Sequence, residues 1–122
     1  MSEFKDVIKR IVRSEGESIE NEDLYLNIEA ESDAIEDLNI ERHGNELIVC
    51  QYYMQRGDLM RDPEVRFQIQ DDESWKPVSF RDDPYTHRYS SQGLEITNFL
   101  STWAVNLEHQ FLSCLFLFPL RK

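Results

Sequence analysis

The sequence is poor in glycine, proline and cysteine, with four, four and two residues among 122. Gly16, Gly44, Gly57 and Gly93 stand apart from one another. That excludes the glycine-rich loops that cradle phosphates in nucleotide-binding proteins. Cys50 and Cys114 form no CxxC motif and are too few for a disulfide-stapled scaffold. They read as free thiols in a reducing compartment. His43, His87 and His109 make no HxH, HxxxH or HExxH pattern, and there is no GxSxG nucleophile elbow. The expectation is therefore no catalytic constellation, no metal site and no cofactor. The longest apolar run, Leu115 to Leu120, falls far short of the ~20 residues that span a bilayer. Nor does the N-terminus carry the apolar core of a signal peptide. A cytoplasmic protein without a membrane partner is expected.

What the sequence does have is acid. Its net charge is −11, from 24 acidic and 13 basic residues. A field of that sign repels a phosphate backbone, so direct nucleic-acid binding is not expected. It also keeps a small protein soluble. Eleven of the acids fall between Ser14 and Glu41, a stretch with no Lys or Arg. Hydrophobic residues make up 40% of the chain and aromatic residues 11%, enough for one core. The expectation is a single domain, residues 1–122, with an apolar tail over 112–122.

Periodicity gives the elements. Phe4, Val7, Ile8, Ile11 and Val12 lie on one face of a helix, which Gly16 would stop. The period then falls to two. Leu24, Leu26, Ile28 and Ala30 alternate with polar residues, as do Leu38 and Ile40, and His43 to Glu46 reads as a hairpin turn. Leu47 to Met54 is apolar on both faces, the mark of a central strand. Gln55 to Pro63 breaks the pattern and reads as a long connection. Val65, Phe67 and Ile69 alternate with Glu64, Arg66 and Gln68. A strand follows from Trp75 to Arg81, with Val78 and Phe80 on one face and Pro77 at an edge or a bulge. Tyr85 to Tyr89 is a short last strand. Ile96, Phe99, Leu100, Trp103, Ala104, Leu107 and Phe111 restore helical spacing. The fold class is α+β: an N-terminal helix, a five- to six-stranded antiparallel meander and a C-terminal helix. Both helices are expected on one face of the sheet.

The densest functional candidate is the stretch from Gln51 to Glu64. Tyr53, Gly57, Asp58, Arg61, Asp62 and Glu64, with Asp82 of the later Asp-Asp-Pro turn, are the candidate binding residues. Asp58, Asp62, Glu64 and Asp82 could converge to hold a metal ion and serve a small hydrolase. Turn chemistry and Arg–Asp pairing explain the same residues without a site, and that reading is favoured. The acidic stretch suggests another alternative. Glu20, Glu22, Glu29, Glu31 and Glu36 could imitate a phosphate backbone and inhibit a DNA-processing enzyme. Another protein is the expected partner. A homodimer through Leu115, Phe116, Leu117 and Phe118 is a further expectation.

The run from Ile48 to Phe67 carries a resemblance. Tyr53, Gly57, Asp58, Met60, Asp62, Pro63, Glu64 and Phe67 are similar to the signature YYxQNGDLMxDPExxF of the DUF6908-like family, small domains of bacteria, plasmids and phages. Trp75 to Asp83 is similar to the family's second segment. Leu94 to Phe111 is similar to its closing helix, with Phe99 and Trp103 at aromatic positions. Arg56 stands where the signature has Asn. The resemblance implies the fold and a context in mobile genetic elements, and no reaction. Together these readings give a non-enzymatic binding or accessory protein.

Overall fold

A computed structural model describes residues 2–30 and 34–112. The order is α1 (Ser2–Ser14), β1 (Tyr25–Ile28), β2 (Asp37–His43), β3 (Glu46–Gln55), β4 (Asp58–Ile69), β5 (Trp75–Asp82), β6 (Thr86–Tyr89) and α2 (Thr97–Phe111). The chain divides into two compact units. Among the described residues, one joins 2–19 to 96–112, and the other lies within 20–95.

In the helical unit, α1 buries Phe4, Ile8 and Ile11, and α2 buries Leu100, Trp103 and Leu107. These are the residues that helical spacing puts on one face. The Phe4 and Trp103 rings lie 5.3 Å apart, and Arg10 meets Glu108 at 2.8 Å, so the two helices pack together. Gly16 closes α1 at a φ of 80°. Its N–H donates to the Arg13 carbonyl and the Glu17 N–H donates to that of Val12, a Schellman cap.

In the other unit the six strands form one antiparallel sheet whose spatial order is the chain order. Ile40, Val49, Val65 and Phe80 are successive cross-strand partners and mark its apolar face. Leu38, Leu47 and Phe67 are fully buried, and the Phe67 ring lies 5.6 Å from that of Trp75. Each such side chain contributes about 1.5–3 kcal/mol by leaving water.

Two sequence expectations are corrected. Gln55 to Pro63 is not a long connection. Only Arg56 and Gly57 turn the chain, at φ of 55° and 84°, and Gln55 pairs with Asp58 across them. Positive φ at both central residues is the hairpin geometry whose twist matches that of the strands. Strand β4 then runs on through Pro63, because a bulge opposite β3 between Cys50 and Tyr52 absorbs the proline. The second correction concerns β5. Its pairing with β4 shifts between Arg66 and Phe67, so Phe67 meets Pro77 and Val65 meets Phe80. The bulge leaves Val78 out of step with Phe80, and Val78 lines a groove with Ser79 instead. Val78 is the extra residue of the bulge, and Pro77 lies beside it in an interior strand.

Leu115 to Phe118, named for a homodimer, lie outside the described residues. Within the described residues, no helix is long and apolar enough to cross a membrane.

Candidate functional site

Strand alternation puts one polar row across the second sheet face. Asn39, Cys50, Glu64, Arg81 and His87 are successive cross-strand partners, and Ile48, Arg66, Ser79 and Tyr89 form the next row. Two grooves, of about 630 and 430 Å³, lie on this face and share Glu64 and Arg66. The floor is buried: Cys50, Glu64 and Ser79 are 6%, 8% and 5% exposed. The Cys50 thiol is pushed up to about 12, by burial first and then by the Glu64 carboxylate. It is un-ionised at neutral pH and a weak nucleophile.

An ion-pair lattice braces the polar face. The Glu64 carboxylate faces Arg61 Nε at 3.4 Å through one oxygen and Arg66 Nε at 3.5 Å through the other. Arg66 also reaches Glu46 at 3.4 Å. Asp83 accepts from the Arg61 backbone N–H at 3.0 Å and from Arg81 Nε at 2.7 Å, and faces Arg61 Nη1 at 3.5 Å. The Arg61 N–H bond, together with the two arginines, holds the Asp83 carboxyl below the usual range. Asp83 in turn raises Arg81.

A contrasting cluster forms from Glu36, Asp62 and Asp82. Asp62 shares a side-chain hydrogen bond with Glu36 and another with Asp82. Three carboxyl groups in hydrogen-bond contact need at least one proton among them. Burial, and then the neighbouring Asp62, raise Glu36 to about 7. Burial, and then the hydrogen bond that its protonated carboxyl donates to Asp62, raise Asp82 to about 6. Tyr53 lies close enough for desolvation and the same carboxylates to raise its phenol.

The candidate residues read from the sequence therefore separate. Arg61 and Glu64 belong to the lattice on the polar face. Asp62, Asp82 and Tyr53 belong to the carboxylate cluster. Gly57 and Asp58 sit at the exposed β3–β4 turn. Asp58, Asp62, Glu64 and Asp82 do not converge. Among the described residues, no group of three or more His, Cys, Asp or Glu side chains is arranged to hold a metal ion.

Sequence reasoning missed Arg66, Ser79, Asp83, His87 and Tyr89 as site residues, and singled out Glu36 only among the acids of a DNA mimic, apart from Asp62 and Asp82. The alternation in β4 already put Glu64, Arg66 and Gln68 on one face. What brings Ser79, His87 and Tyr89 beside them is cross-strand register, which a single sequence does not display.

The family model described as a domain of unknown function (DUF6908) matches residues 6–112. The chain belongs to that family. No curated protein and no solved structure matches it.

Proposed function

We propose that this chain is a non-enzymatic module that binds another protein, and that the polar face of the sheet is its contact surface. The observation that carries this reading is the composition of that face. Tyr25, Leu59 and Tyr89 stand exposed around grooves lined by Arg61, Arg66 and Arg81. Tyr and Arg are the residues that dominate binding energy at protein interfaces. The un-ionised Cys50 thiol favours binding over nucleophilic chemistry. Glu36 is drawn into a carboxylate cluster, so the set of acids that a DNA mimic would display loses a member, which favours a protein-binding surface over mimicry. The family resemblance supports a context linked to mobile genetic elements, with a host or element-encoded protein as partner.

The test is capture from a host lysate with the tagged full chain, beside a Tyr25→Ser, Leu59→Ser, Tyr89→Ser variant. These side chains are exposed, so the variant should keep its fold, which circular dichroism checks. One protein enriched by the wild type and lost with the variant is expected. Equal capture by both, or an empty capture, overturns the reading.

A further inference from the structure

We propose that the β4–β6 end of the polar face binds a small oxyanion ligand, one carrying a carboxylate or a phosphate group. This goes beyond the protein-binding reading and does not depend on it. The 630 Å³ groove is large enough for a small organic anion. Its central polar side chain is Ser79, 5% exposed, whose hydroxyl has no hydrogen-bond partner among the described residues. No buried side-chain oxygen or nitrogen in the described residues lacks a partner. The Ser79 hydroxyl therefore opens onto the groove, where a ligand or water satisfies it.

The groups around Ser79 are donors. Register places Arg66 and Tyr89 directly beside it, on β4 and β6, and Arg81 two residues along its own strand with His87 as partner. Direct partners on one sheet face stand about 4.5–5.5 Å apart, close enough for one ligand to touch several. Arg81 uses only Nε, on Asp83. Arg66 uses Nε and Nη1, in contacts of 3.5 and 3.4 Å that are long for ion pairs. His87 and Tyr89 have no side-chain partner among the described residues. The acceptors, by contrast, are engaged. Both Glu64 oxygens face arginine, and Glu46 faces Arg66. A groove whose carboxylates already face arginine, while the remaining guanidinium nitrogens, the His87 ring and two hydroxyls are not engaged, has donors to offer a ligand rich in acceptors. Arginine forks suit the planar oxygens of carboxylate and phosphate in particular. Its charged lining of Glu46, Glu64, Arg66 and Arg81 is balanced, while the chain as a whole carries −11. An anion meets less repulsion here than on the acidic remainder.

The test is a titration of the ¹⁵N-labelled full chain with sodium phosphate and, separately, with sodium succinate, at fixed ionic strength, with chloride as control. Saturable amide shifts centred on Ser79, Arg81 and His87 are expected from at least one of the two. Phosphate alone or succinate alone assigns the group; both assign a general oxyanion site. Ser79→Ala should weaken binding about tenfold, the usual effect of losing a hydrogen bond to a charged group. Tyr89→Phe removes only an exposed hydroxyl, cannot disturb the fold, and should weaken binding several-fold. No saturable shift with either anion, an equal response to chloride, or affinity unchanged in both variants overturns the proposal.

Discussion

Asp82 and Asp83 are adjacent carboxylates in opposite situations. Asp83 accepts a backbone N–H and faces two arginines, and its carboxyl lies below the usual range. Asp82 meets Asp62 instead and is raised to about 6. On the neighbouring strand, β4, the same split recurs. Arg61 joins the arginine lattice, while Asp62 bridges Glu36 and Asp82. Strand alternation sends neighbours to opposite sides, so an Asp-Asp dipeptide becomes an anchor on one side and a shared-proton group on the other. What a carboxylate contributes is set by its partners, and the residue type alone does not disclose it.

Breaking the anchored side should have the largest effect. Asp83→Ala leaves the Arg61 N–H without its acceptor and removes the charge that Arg61 and Arg81 face. A loss of about 2–3 kcal/mol is expected in urea unfolding. A loss below half that would mean that the lattice adds little to stability.

The carboxylate cluster predicts a smaller effect of opposite sense. Glu36 and Asp82 have folded-state values above their unfolded ones, so the folded protein holds protons that the unfolded chain releases. Their contribution is fully present below about pH 4 and is lost as pH rises through about 6 to 7. The Glu36→Gln, Asp82→Asn double variant should melt higher than the wild type at pH 8, and its melting temperature should change less between pH 5 and 8. Parallel profiles for the two proteins would remove the cluster as the source of that slope. Asp83 works the other way: its contribution is present above the ordinary carboxylate range and is lost on acidification. Together the two regions favour mildly acidic pH for greatest stability.

The smallest effect is expected in the helical unit, where the Arg10–Glu108 pair is 41% and 43% exposed. A double-mutant cycle should give about 0.2–1 kcal/mol, and added salt should shrink it. A coupling as strong as that of Asp83 would show that exposure does not separate the two kinds of pair.

Much of the architecture was legible, because it rests on period. Phe4, Val7, Ile8, Ile11 and Val12 define α1, and the two-residue period finds five of the six strands within a residue or two. Strand β4 was truncated, because Asp62-Pro63 carries turn chemistry and only a bulge in the partner pairing shows that the strand continues. Val78 was misplaced because a one-residue bulge reverses facing without leaving a local mark. Site residues fared less well. Arg61, Asp62, Glu64 and Asp82 stood out as charges, yet their division between two clusters depends on contacts across strands. Glu36 read as one of five acids of a phosphate-mimicking stretch, since nothing near it in the chain announces Asp62. Ser79 carries no signal at all: a serine beside a phenylalanine in a strand becomes informative only once its neighbours on β4 and β6 are known.

Strand order equals chain order throughout the sheet, and this has a kinetic consequence. Every ladder joins segments adjacent in sequence, so each hairpin closes a short loop and can zip onto the last. The α1–α2 contact has no such shortcut, because it must bring together segments that flank residues 15–96. The search over chain conformations is thus short for the sheet and long for the helix pair. The strands have a topological head start, and the pairing of the two helices is the step with the greatest loop entropy to overcome.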